Sequence, residues 1–146
     1  MPATPIAIAD SSVLLAAMRK RGEPAHKPAA VLLRAAGAEK LELRMLDPTL
    51  YEVGNVIVRA WDAALSVHER ALRALEALCG EPIVPTLDDH LAAAALAMKE
   101  GITVYDAMYV AVARRLGVPL LSLDERDLLG HELAISPTAA VGRLLG

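Results

Sequence analysis

A chain of 146 residues is long enough to bury one core and too short for two ordinary domains, so a single domain with a single site is expected. Its 55% hydrophobic and 23% charged residues read as globular, and no run reaches the roughly 18 apolar residues of a membrane span. A net charge of −3, 3% aromatic residues and no Phe exclude a broad basic face and a stacking platform for unpaired bases, leaving only local nucleic-acid contacts.

The opening MPATPIAIAD lacks a basic leader and places an acid where a signal core would continue, so a soluble cytoplasmic protein is expected. Residues 6–9 form a continuous apolar run, as in a strand covered on both faces, and helices follow near 11–21 and 25–36. LELRML, at 41–46, alternates and fits a strand nearer an edge. Asp47 and Pro48 read as N-cap and first position of a helix over 48–62, and Ser66 with Glu69 reads as the capping box of a helix over 66–79 that Gly80 stops. A short β candidate at 83–84 precedes an Ala-rich helix at 88–100, ended by Gly101. Thr103 with Asp106 then forms a capping box for a helix over 104–116, ended by Gly117. Strands at 118–123 and 133–135 and a helix at 137–145, opened by Ser136 and Pro137, complete the chain. Strands separated by helices imply the α/β class, with a central parallel sheet flanked by helices on both faces.

Four acids stand out in this frame: Asp10, Glu52, Asp106 and Asp124. Asp10 and Asp124 end the runs at 6–9 and 118–123, which places both at the carboxyl edge of a parallel sheet, where such folds bind ligands. Each also reads as a simple cap. Asp106 lies in the first turn of a helix apolar on nearly every face, so its carboxylate is expected half inside the protein, where a charge is costly unless paired or metal-bound. Glu52 shares a narrow polar stripe with Asn55 and Arg59, either a solvent face or the wall of a cleft, with Asn55 placed to orient the carboxylate. Gathering such acids is unfavourable unless a cation lies between them. Oxygen-only ligands suit Mg²⁺ or Mn²⁺, and metal-assisted phosphodiester hydrolysis is the chemistry that uses them best. Zinc is not expected, because His26, His68, His90 and His131 lack ligand spacing and Cys79 is the only cysteine.

The segments IAIADSSVLLA, DPTLYEVGNVI and GITVYDAMYVAVARRLGVPLLSLDERDL together resemble the PIN-domain ribonucleases, most closely the VapC-type toxins of toxin–antitoxin pairs. The resemblance runs in order from residue 6 into the 130s and is most specific over TVYDAMYVAVARRLGVPLLSLD. It implies a PIN-like three-layer fold and a Mg²⁺- or Mn²⁺-dependent endoribonuclease acting on structured cellular RNA such as tRNA or rRNA. It further implies a homodimer and a cognate VapB-like antitoxin that covers the active site. The strand-end Asp, the helix Glu and the Asp after Tyr correspond to Asp10, Glu52 and Asp106. The fourth acid corresponds to Asp124, preceded by Ser122 where the family often has Thr. Glu125 and Asp127 lie close enough to compete for that role, and Asp124 is preferred because it directly follows the strand.

Weaker candidates are the basic triplet Arg19, Lys20 and Arg21 and the pair Arg114 and Arg115, all at helix ends and able either to settle the dipole or to touch phosphate. Asp88, Asp89 and His90 read as helix-start capping. A receiver domain would need an acidic pair after the first strand and a strand-end Lys, which this chain lacks. A PIN-like binding module that docks a partner without turning over RNA is the alternative function.

Overall fold

In the computed structural model the described residues are 3–19 and 23–146. The run at 6–9 becomes β1 (Ile6–Ala9), the centre of a parallel sheet in the order β2-β1-β3, with β2 at Glu42–Arg44 and β3 at Leu120–Leu121. Single parallel bridges, Leu46 to Ile83 and Leu121 to Ile135, widen the sheet on both flanks. All five β candidates therefore join one sheet, although 83–84 and 133–135 contribute one bridge each. The alternating segment carries an exposed Glu42 as an edge strand would, but its end is covered by Ile83. The expected strand at 118–123 contracts to two residues. Pro119 has no N–H to give the ladder, and its carbonyl alone pairs, accepting Ile8 N–H at 3.0 Å.

Alternation along the strands divides the core between two faces. Ala7, Ala9, Leu43 and Leu121 pack with α1 (Ser11–Met18), α2 (His26–Gly37), α3 (Asp47–Asn55), α4 (Leu65–Cys79) and α7 (Pro137–Ala140). Ile8, Leu46 and Leu120 pack with α5 (Leu87–Glu100) and α6 (Val104–Leu116). The result is the expected α/β arrangement of helix, parallel sheet and helix. In α6 every residue from Ala107 to Ala113 is buried, while Val104 and Tyr105 at its start are exposed.

Several helix signals are used differently from their reading in the sequence. Leu46, not Asp47, is the N-cap of α3, so Asp47 and Pro48 become its first two residues. The Asp47 N–H is drawn off to Ile83 O at 2.9 Å. The helix expected to run to 62 widens into a π-type turn over Val56–Ala60. α7 widens likewise over Val141–Leu145. Ser66 and Glu69 form no capping box: α4 starts one residue earlier with Ala64 as its cap, and Glu69 pairs along the helix with Arg73 at 3.0 Å. Gly80, Gly101 and Gly117 do stop their helices, at φ of 70°, 69° and 67°.

Of Asp88, Asp89 and His90, the capping reading holds for Asp89. Thr86 and Asp89 close a reciprocal capping box, and Asp89 also receives both arms of Arg115, each at 2.8 Å, locking α5 to α6. That fork holds the Asp89 carboxyl at about 2, below its usual value. Its stabilising contribution is therefore present above the unfolded-chain pKa and fades as pH falls toward about 2. Asp89→Ala removes cap and fork together and is expected to cost about 2 kcal/mol at neutral pH, the half-exposed Arg115 weakening the ion-pair share. Urea denaturation at neutral pH measures it.

Candidate metal centre

Strand pairing carries Asp10 to the carboxyl end of the sheet, where its N–H donates to Leu121 O at 3.1 Å. There it leaves the strand and caps α1, with Oδ1 accepting from Val13 N–H at 3.3 Å and from the Ser12 hydroxyl at 2.5 Å. Oδ2 accepts from the Ser122 hydroxyl at 2.5 Å. The side chain is only 5% exposed. Burial pushes its carboxyl up to about 6; the serine hydroxyls and the Val13 amide oppose the rise, and the charge on Glu52 adds to it.

Ser122, fully buried, ties the two strand-end acids together. It donates to Asp10 and accepts from Asp124 N–H at 3.0 Å. Asp124 in turn caps the π-type turn Glu125–Leu129, accepting from Asp127 N–H at 3.0 Å. Ser12 also crosses between the strands, accepting from Leu123 N–H at 2.9 Å.

Asp106 sits in the first turn of α6, where its N–H donates to Thr103 Oγ1 at 3.1 Å. The capping box expected here is half formed: Thr103 caps Asp106, but the Asp106 carboxylate does not return a bond to the Thr103 backbone as Asp89 does to Thr86. The Asp106 pKa is raised, first by burial and then by the charges of Asp124, Asp127 and Glu52. The Thr103 hydroxyl is the group that opposes the rise of the Asp106 carboxyl. One oxygen each from Asp106, Asp124 and Asp127 lie within 4.8 Å of one another. Asp127, an alternative in the sequence, thus joins the tight group alongside Asp124. Glu125 is exposed and stands outside it.

Glu52 projects from α3 and is half-buried. Its Oε2 accepts from the Ser11 hydroxyl at 3.1 Å and its Oε1 from the Tyr109 hydroxyl at 2.6 Å. Asn55 was expected to orient this carboxylate, but it is exposed and Ser11 and Tyr109 do so instead. Because α3 turns by about 100° per residue, Asn55 shares the stripe yet falls on its outer margin. Asp10 and Glu52 stand outside the tight trio, but the charge of Glu52 acts on both Asp10 and Asp106, making the acids one electrostatic unit.

Among the described residues none of the basic candidates forms an ion pair with these acids. Arg115 is committed to Asp89, and Arg19 pairs with Glu23 at 3.6 Å. Lys20 and Arg21 lie outside the described residues. Among the described residues, Arg126 approaches Asp127 at 3.8 Å with a side chain 93% exposed, which does little to neutralise it. The donor set is therefore all carboxylate. That chemistry fits a hard divalent cation that keeps open positions for water and phosphate.

A model of the PIN domain family matches residues 7–129, a span that contains every one of these acids. The chain belongs to the PIN domain family. It is 38% identical to Ribonuclease VapC3 of Pyrobaculum aerophilum over 98 residues, covering 62% of this chain and 72% of that protein. The crystal structure of PAE2754 from Pyrobaculum aerophilum superposes with a TM-score of 0.65 at 27% identity, covering 97% of this PIN domain chain and 96% of that one. A toxin–antitoxin complex from Klebsiella pneumoniae contains a chain of the same fold, with a TM-score of 0.67 at 19% identity over 90% of this chain and 97% of that one.

Because the folded protein raises the Asp10 carboxyl to about 6 from 3.8, it favours the neutral acid relative to the unfolded chain. The sign is that of a raised pKa: the stabilising contribution is full below the unfolded value and lost as pH rises through the folded one. In chelator, the wild-type unfolding free energy should carry a loss of up to about 3 kcal/mol from Asp10 as pH rises from about 4 to about 7. Asp10→Asn should flatten that slope in urea melts across the pH range; an unchanged slope contradicts the assignment.

Proposed function

We propose that this chain is a single PIN-like domain acting as a metal-dependent endoribonuclease of the VapC type, the toxin of a type II toxin–antitoxin pair. The observation that carries the reading is the meeting of Asp10, Glu52, Asp106 and Asp124, joined by Asp127, at the carboxyl end of the sheet. The similarity to a protein named as a ribonuclease supports the reaction class.

Mg²⁺ or Mn²⁺ would be held by Asp106, Asp124 and Asp127, with Asp10 and Glu52 completing the acidic wall. When bound, such an ion polarises the phosphodiester and makes water a better nucleophile. The protein supplies the rest. Ser12 and Ser122 fix the Asp10 carboxylate, and Ser122 fixes the backbone of Asp124. Glu52, steadied by two donors, is the acceptor that orients the attacking water in line with the scissile phosphate. Attack by water leaves a 3′-hydroxyl and a 5′-phosphate. The substrate is a structured RNA of the tRNA or rRNA class, and the working assembly is a cytoplasmic homodimer masked by a VapB-like antitoxin. No helix among the described residues is long and apolar enough to cross a membrane.

Incubation with tRNA and rRNA should give cleavage with Mg²⁺ or Mn²⁺, none with chelator, and a loss of about 100-fold or more for Asp106→Asn. Asp127→Asn is expected to lose about 10–100-fold. Equal survival of every RNA with wild type and Asp106→Asn would leave the binding-module alternative, and 2′,3′-cyclic phosphate ends would exclude water as the nucleophile.

A further inference from the structure

Behind Glu52 lies a chain of hydrogen bonds that surfaces only at that carboxylate. Leu46, at the end of the β2 segment, donates its backbone N–H to Thr49 Oγ1 at 3.3 Å. Thr49 Oγ1 and the Tyr109 hydroxyl lie 2.7 Å apart, and the Tyr109 hydroxyl lies 2.6 Å from Glu52 Oε1. Thr49 is fully buried and Tyr109 is 3% exposed, so water has little access to the links between them.

The direction of every link is forced by the two ends. A backbone amide only donates, so Thr49 Oγ1 accepts from Leu46. An ionised carboxylate only accepts, so Tyr109 spends its one hydrogen on Glu52. Tyr109 is then left as the acceptor, and the Thr49 hydroxyl hydrogen points to it. Amide, threonine, tyrosine and carboxylate thus form one polarised series, each donor strengthening the next in a low-dielectric interior. The series runs from the sheet edge through α3 to α6 and back to α3, joining the elements that carry Glu52 and Asp106.

We infer that Tyr109, backed by Thr49, is a positioning residue that holds the Glu52 carboxylate toward the acidic cluster and so sets the affinity of the site for a divalent cation. The inference rests on the metal-dependent reading of the site. Without the tyrosine hydroxyl, Glu52 keeps, among the described residues, only Ser11, at 3.1 Å, and is free to swing away from a crowd of like charges. With it, the carboxylate cannot relax outward, and ion binding does not have to pay for ordering it.

The test is Mn²⁺ binding to the RNA-free, full-length protein, read by titration calorimetry or by the electron paramagnetic resonance signal of free Mn²⁺. Tyr109→Phe keeps the ring in its packing and removes one hydroxyl; it should weaken Mn²⁺ binding about 10–100-fold. Thr49→Val should weaken it in the same direction by a smaller factor, and Thr49→Ser, which restores the hydroxyl, should bind as wild type. In a Glu52→Gln background, Tyr109→Phe should add less than about twofold, because the group it positions is gone. Thermal melts in chelator confirm that each variant is folded. Wild-type Mn²⁺ affinity retained in folded Tyr109→Phe, or an undiminished effect in the Glu52→Gln background, overturns the positioning role. Failure of the wild type itself to bind Mn²⁺ or Mg²⁺ overturns the metal-dependent reading instead, so the two failures are distinguishable.

Discussion

Like charges crowded at one end of the sheet are the constraint around which this structure is arranged. Two carboxylate oxygens within 4.8 Å repel by about 3 kcal/mol or more at an effective dielectric of about 20. The fold meets that repulsion unevenly. Asp10 and Glu52 are compensated by hydroxyls: Ser12 and Ser122 for the first, Ser11 and Tyr109 for the second. Asp106 has the Thr103 hydroxyl and the start of a helix, Asp124 the start of a turn, and Asp127 the exposed Arg126. The least compensated side of the cluster is the one where three carboxylates meet, and it is there that a cation gains most from binding.

That unevenness is built from the sheet outward. β1 is short, but it is paired on both sides, and its pairing persists through the Asp10 amide to Leu121. Ser122 follows at once, so one buried hydroxyl can bind the side chain of one strand-end acid and the backbone of the other. On the opposite face, α6 fills the core from Ala107 to Ala113 while carrying Asp106 and Tyr109 to the site. Its other end is clamped to α5 by the Asp89–Arg115 fork. The same helix therefore packs the core and carries a carboxylate and a hydroxyl to the acidic cluster.

The parts legible in the sequence were those written in local patterns. The continuous apolar run before Asp10, the glycine stops at Gly80, Gly101 and Gly117, and the all-round apolar face of α6 each follow from a rule that needs only neighbouring residues. These placed the acids at strand ends and a helix start, and so pointed to a shared site. Local patterns misled where a distant group competed. Ser66 and Glu69 have capping-box spacing, yet the helix starts at Leu65 without them. Asp47 and Pro48 have the N-cap signature, yet the bridge between Leu46 and Ile83 draws the helix start back by a residue.

Sequence alone determined which residues could bear charge in the interior and which elements would present them, because burial and periodicity are encoded residue by residue. Only tertiary structure decided how those charges are held. It joined Asp127 to Asp106 and Asp124, left Asn55 outside, and delivered the Tyr109 hydroxyl to Glu52 across 57 positions of chain. Hydrogen-bond partners so far apart in sequence leave no spacing to read: their meeting depends on how helices on either side of a sheet are set against one another, which packing of the whole core fixes at once.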